Sequence, residues 1–219
     1  MASSSALPVL PSKTDQVFDL IRARILDGRL QPDQRISMDE LSRELGVSKI
    51  PVREAIGRLE ALGFVTNKQH AGPAVAAVDI RQLNGAYLAR AELEPLIARL
   101  AAQNASVASV RSLAVVHKHM SAALANGRHQ LLADLNSEFH AGLAAMTGYA
   151  ILGEIDEALL LAVRRYRVID PLTTDNWARV VREHEIILDA VRAGDGTAAA
   201  AAARHHAESQ AGLEFDPQP

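Results

Sequence analysis

The chain has 219 residues, of which 48% are hydrophobic, 4% aromatic and none cysteine. It is long enough for one large or two small cored domains, and a disulfide framework or a thiolate metal site is excluded. Its formal net charge of −3 argues against a generic nucleic-acid binder, so any DNA-reading role must rest on local placement of charge.

Residues 1–11 lack the basic segment of a signal peptide and no run approaches ~18 apolar residues, so neither export nor a membrane span is expected. The missing cysteine fits a reducing cytoplasm. Residues 1–11 and 214–219 read as disordered ends. From Thr14 to Val78, short helices precede strands. "TDQVFDLIRARILDG" sets Val17, Phe18, Ile21, Ile25 and Leu26 on one helical stripe, which Gly28 stops. "LQPDQRI" reads as a turn and a short extended piece. Ser37 and Glu40 have capping-box spacing at the head of a second helix, which Gly46 ends. Ser48 is placed to cap a third helix that runs to about Leu62 and is closed by Gly63. "FVTNKQHAGPAVAAV" then reads as two short strands around a glycine-containing turn.

This order describes a winged helix-turn-helix over residues 12–78. From Asp79 onward there is no strand signal. Helical segments are expected at roughly 79–103, 106–126, 128–147, 149–169, 175–193 and 197–213, separated by Asn104, Asn126–Gly127, Gly148, "DPLTTD" and "GDG". Connections this short imply an antiparallel helical bundle over 79–213. The expected fold is mainly α: an N-terminal winged helix-turn-helix followed by an all-α antiparallel bundle.

The third helix separates two faces. Val52, Ala55, Ile56, Leu59 and Leu62 share the core side, whereas Lys49, Ile50, Arg53 and Gly57 lie opposite. Pro51 falls in the first turn, where its missing N–H costs nothing. The exposed tip therefore carries two cations where a recognition helix meets DNA, and the Arg53 fork suits a guanine edge. The alternative is that Lys49 and Arg53 are ordinary solvated charges.

The segment from Val17 to Val65, with "G-x-L-x-P" at 28–32, "LGVS" at 45–48 and "PVREAIGRLEALGFV" at 51–65, resembles the DNA-binding domain of the GntR family of bacterial repressors. The resemblance implies operator contacts from Ser48, Lys49 and Arg53, and a wing tip of Lys68, His70 and Gly72 near the minor groove. It also implies a homodimer on a short palindrome. Lys49 stands where the family usually has arginine and Ile50 where threonine is common. A lysine is a point charge rather than a fork, so readout there loosens or shifts to phosphate.

Four residues in the bundle converge by spacing. Asn136 and His140 are on one helical face. His184 and His206 each lie about ten residues from the "GDG" turn, on antiparallel helices, so both come about 15 Å from it at the same height. His184 shares its face with Val180, Leu188 and Val191. His140, His184 and His206, with Asn136 as a fourth ligand, make a three-imidazole metal site; the other reading is a histidine-lined polar pocket without metal. His117, His119, His129 and His205 are read as surface residues.

"RAELEPLIARLAA" at 90–102, "NSEFH" at 136–140, "REHEIILDAVRAGD" at 182–195 and "ARHH" at 203–206 resemble the FCD ligand-binding domain of the FadR-like branch of the same family, in its six-helix, VanR-like form. That resemblance implies zinc or nickel on His140, His184 and His206. Asn136 departs from the family's usual aspartate. Arg90 matches a position near the effector pocket, where it would clamp a carboxylate; a salt bridge to Glu94 is the competing role. Arg165, within the Arg164–Arg167 run, is a second candidate for the acid.

Together these features imply a ligand-responsive transcription regulator, a repressor released from its operator by a small organic acid, and not an enzyme. A metal sensor without an organic effector and a metal-dependent hydrolase are the rivals. Since all four ligands are neutral, a divalent ion is expected to keep its +2 charge and demand an anion, which a carboxylate effector would supply.

Overall fold

The structure, a computed structural model, describes residues 11–68 and 72–211. The chain divides into two compact units, residues 1–78 and 79–219. Most of the expected ends, and His70 at the wing tip, lie outside the described residues, as does the Lys68 side chain.

In the first unit, α1 (Lys13–Leu26) begins at Ser12, whose side chain exchanges a reciprocal capping pair with Asp15. It buries Val17, Phe18, Ile21 and Ile25. Helix α2 (Met38–Leu45) is capped by Ser37, which accepts from the Glu40 N–H, and stops at Gly46 in the left-handed region at φ 61. Helix α3 (Lys49–Ala61) buries Val52, Ala55, Ile56 and Leu59 and packs on α1 and α2.

The wing pairs β1 (Val65–Lys68) antiparallel with β2 (Gly72–Val75), Val65 opposite Val75 and Lys68 opposite Gly72. The extended piece before α2 joins it, with the Val75 N–H donating to Gln34 O at 2.8 Å and the Ile36 N–H to Pro73 O at 2.9 Å.

Ser48 departs from expectation. It occupies the N-cap of α3, but its side chain makes no capping hydrogen bond. The third helical residue is Pro51, which has no N–H to give, so the usual acceptor role of a cap side chain lacks that donor.

The second unit has helices and connecting turns and no strand among its described residues: α4 (Ile80–Asn104), α5 (Val107–Ala125), α6 (His129–Met146), α7 (Ala150–Tyr166), α8 (Thr174–Ala193) and α9 (Gly196–Ala211). Its core joins Leu113 and Met120 of α5, Leu132, Phe139 and Leu143 of α6, and Val180, Ile187 and Val191 of α8. At Gly142 an added Cβ would stand 2.9 Å from Leu113 Cδ1, so the missing side chain lets α5 approach α6 closely.

Helix α8 ends at Gly194, at φ 70. The Asp195 carboxylate accepts from the N–H groups of Thr197 and Ala198 and starts α9 at once. This two-residue turn folds α9 back on α8, while α4 lies along α9 and α7.

Candidate functional site

At the head of α3, Ile50 is 64% exposed and Arg53 is exposed. Lys49 Nζ is 2.7 Å from Asp39 Oδ1 of α2, with both side chains in solvent. The tip therefore presents Ser48 without a capping partner, an exposed Arg53 and a lysine shared with an acid. Gly72, at φ 75, opens β2. Arg58, on the same helix, is held away from the tip by Asp15 at 2.7 Å and by the Phe18 ring.

In the bundle, α6, α8 and α9 bring His140, His184 and His206 together. All three are at most 3% exposed, and their ring centroids lie 4.7 to 5.5 Å apart. His184 Nε2 and His206 Nε2 are 3.3 Å apart. The His184 ring stacks on Phe139 at 4.0 Å, nearly parallel, so an aromatic wall fixes its plane.

Glu183 Oε2 lies 2.7 Å from His206 Nδ1, and Ser209 donates to the other carboxylate oxygen. A hydrogen on Nδ1 that serves Glu183 leaves a lone pair on Nε2, facing His184. Among the described residues, His140 Nε2 and His184 Nδ1 have no hydrogen-bond partner. Buried imidazoles with uncommitted nitrogens around one point suit a divalent ion, so the donor set fits a metal of the kind the family resemblance implied.

Burial pushes the His140 imidazole down to about 3, against the opposing pull of Glu94. Burial also holds His184 well below its ordinary range, helped by the charges His206 and His140 would carry. Both rings are therefore neutral near pH 7, the form that can ligate a metal. Against its own burial, bonds from His206 and Ser209 keep the Glu183 carboxyl low.

Buried carboxylates that the sequence reading did not include stand behind the neutral candidate ligands. Glu94 Oε1 of α4 lies 3.8 Å from His140 Nδ1, and Asp156 Oδ2 of α7 lies 3.9 Å from the same nitrogen. Both carboxylates are buried. Glu94 pairs with Arg90 at 2.5 Å, which keeps its carboxyl low despite burial. Burial, then the neighbouring Glu94 charge, pushes Asp156 up to about 7.

Beside the histidines is a cavity with a polar wall of Arg90, Asn136, Ser137, His206 and Gln210. Leu160, Val163, Leu172, Trp177 and Val180 form its apolar wall. Arg90 forms the expected salt bridge to Glu94 and also lines the cavity. Arg164 and Arg167 line it too, with Arg164 bonded to Asp134 at 2.6 Å and Arg167 to the Tyr87 hydroxyl at 3.2 Å. Arg165 is not among the lining residues.

His117 is a second correction. It is buried, and its Nε2 is 2.9 Å from Val181 O. Leu113 and Met120, buried on the same face of α5, were the signal for it. His119 and His205 are exposed and His129 partly so. Spacing within α6 gave no access to Glu94, Asp156 or Glu183, although "REHE" places Glu183 beside a candidate ligand.

Residues 13–75 match the model of bacterial regulatory proteins of the gntR family, and residues 86–209 match the FCD domain. A probable D-xylose utilization operon transcriptional repressor of Paenarthrobacter nicotinovorans is 30% identical, spanning 87% of this chain and 84% of the relative. The HTH-type transcriptional regulator LutR of Bacillus subtilis (strain 168) is 30% identical, spanning 83% and 92%. Among solved structures, E. coli McbR/YncC superposes with a TM-score of 0.81 over 93% of this chain and 97% of that one, at 22% identity. A putative GntR regulator from Rhodococcus sp. RHA1 gives 0.80 over the same shares, at 20% identity. These two share the fold. No helix among the described residues is long and apolar enough to cross a membrane.

Proposed function

This chain belongs to the GntR family of DNA-binding bacterial transcription regulators, with an FCD domain behind its winged helix, and we propose that it is a cytoplasmic repressor that leaves its operator when a small organic acid binds in the bundle. Residues 12–78 form the DNA-binding domain and residues 79–213 the effector domain. Two copies sit on a short palindrome. Arg53 reads a base edge, Ser48 and Lys49 hold phosphate or base at the same tip, and Lys68, His70 and Gly72 bring the wing to the minor groove.

The observation that carries this reading is the convergence of His140, His184 and His206 against a cavity lined by Arg90, Arg164 and Arg167. Those imidazoles would hold a divalent ion, zinc or nickel, with the Asn136 amide oxygen as a further ligand. When bound, the ion supplies a positive charge that attracts a carboxylate. Arg90, Arg164 and Arg167 orient the acid by charged hydrogen bonds. Trp177 and the leucine and valine side chains cover its apolar part and keep water out. Arg165 is a less direct candidate, acting from beside the lining.

Calorimetry on the full chain with zinc alone, then with a panel of small carboxylic acids, tests this. The reading expects acid binding that strengthens when zinc is present, since coupling between two ligands is reciprocal. Acid binding indifferent to zinc would leave a plain histidine-lined pocket. Zinc binding that alters DNA affinity with no acid would make the protein a metal sensor.

A further inference from the structure

The Asn136 amide carries no charge, so three neutral imidazoles and one amide leave a divalent ion without a counter-charge. The buried groups behind His140 bear on that deficit. Glu94 Oε1 is 3.8 Å from His140 Nδ1 but is ion-paired with Arg90, so the two charges offset one another. Asp156 has no cation of its own among the described ion pairs. Its Oδ2 lies 3.9 Å from His140 Nδ1, within reach of the Glu94 and Arg90 charges, and its Oδ1 has no hydrogen-bond partner.

Its place on α7 is one where packing asks for an apolar side chain. Leu152 and Leu160, four residues to either side, lie on the same helical face, with Leu160 buried and Leu152 packed against the core. An acid that interrupts an apolar stripe, stays 2% exposed and makes no hydrogen bond at one oxygen weakens the apo fold. That cost points to a role outside apo stability.

We infer that Asp156 supplies, from α7, the negative charge that Asn136 does not. It acts through His140, drawing the hydrogen to Nδ1 and turning the lone pair of the other nitrogen toward the ion. At 3.9 Å it works by charge; a shift of the side chain toward Nδ1 would make it a hydrogen bond. Glu183 already stands in this relation to His206 at 2.7 Å, so two of the three imidazoles are backed by a carboxylate. Such partners fix ring orientation and raise ligand basicity. Asp156 is thus a positioning residue for metal, not a ligand. This inference rests on the metal reading proposed above.

The test is zinc affinity by chelator competition, together with zinc-free melting temperature, on the full chain and on Asp156→Asn, Asn136→Asp and the double variant. Zinc-free Asp156→Asn is expected to melt at or above the wild-type temperature and to bind zinc about 10–100-fold more weakly. Asn136→Asp is expected to recover most of that loss in the double variant. Equal zinc affinity in Asp156→Asn would overturn the inference. So would failure of the zinc-free variant to fold, because the carboxylate would then be holding the core. Failure of Asn136→Asp to restore affinity would overturn it as well, since the deficit would not be one of charge. If the wild-type chain took up no zinc, the metal reading would fall and this inference with it. A difference confined to the variants bears on Asp156 alone.

Discussion

His206 Nδ1 lies 2.7 Å from Glu183 Oε2, and this bond decides which nitrogen of His206 faces His184. The carboxylate comes from the residue before His184, one position round α8 from a candidate ligand. A single stretch of helix therefore presents one imidazole and orients another. Glu183→Gln would keep the shape but permit the opposite tautomer. Zinc affinity should fall about 10–100-fold, with the helical circular dichroism unchanged. Wild-type affinity in this variant would mean that the 2.7 Å contact serves packing only.

Arg53 is exposed at the tip of α3, where a guanidinium can meet a base edge. Arg53→Ala should cost about 1–3 kcal/mol of specific DNA binding and relax preference at one base position. Competition between operator and random duplex measures it. Equal weakening on both duplexes would assign Arg53 to phosphate, and no change on either would remove it from the interface.

Lys49 is shared with Asp39 at 2.7 Å, and DNA phosphate competes with that acid. An exposed pair is weak, so the gain from breaking it is small. Asp39→Asn should tighten DNA binding roughly 2–5-fold and steepen the log–log salt dependence by up to about one unit. Weaker binding in this variant would indicate that Asp39 positions the lysine instead of restraining it.

Acid should unfold the zinc-free protein early. His140 is pushed down to about 3, and His184 is also low. Their stabilising contribution is present above the ordinary histidine range and is lost as pH falls from ~6.5 toward about 3. Asp156, pushed up to about 7, works the other way: the native state binds its proton before the unfolded chain does, which adds stability as pH falls through 7. Two histidines against one aspartate leave a net loss of stability as pH falls between ~6 and ~4. Urea midpoints measured across that range check it; a flat profile would mean that the histidines are hydrated.

The helices and the histidine cluster were legible because each depends on local rules. Period 3.6 marks the stripes, and the tight turn at Gly194–Asp195 fixes α8 against α9, which sets His184 and His206 at one height. The carboxylates around the cluster were not legible. Glu94 and Asp156 sit on α4 and α7, and which residues of those helices face α6 is set by packing among four helices rather than by any spacing along the chain. Which of Arg164, Arg165 and Arg167 line the cavity was not legible for the same reason: three nearly consecutive positions span most of a helical turn, and packing puts 164 and 167 on the lining. His117 was within reach, because Leu113 and Met120 already marked its face as buried.

The central claim is that acid binding in the bundle releases DNA, with metal linking the two. The most direct measurement is fluorescence anisotropy of a labelled operator, selected from genomic fragments, titrated with the full chain with and without zinc and with and without a bound carboxylic acid. The account predicts that the acid lowers operator affinity at least tenfold when zinc is present and far less when zinc has been chelated. Operator affinity unaffected by any acid that calorimetry shows to bind would contradict it.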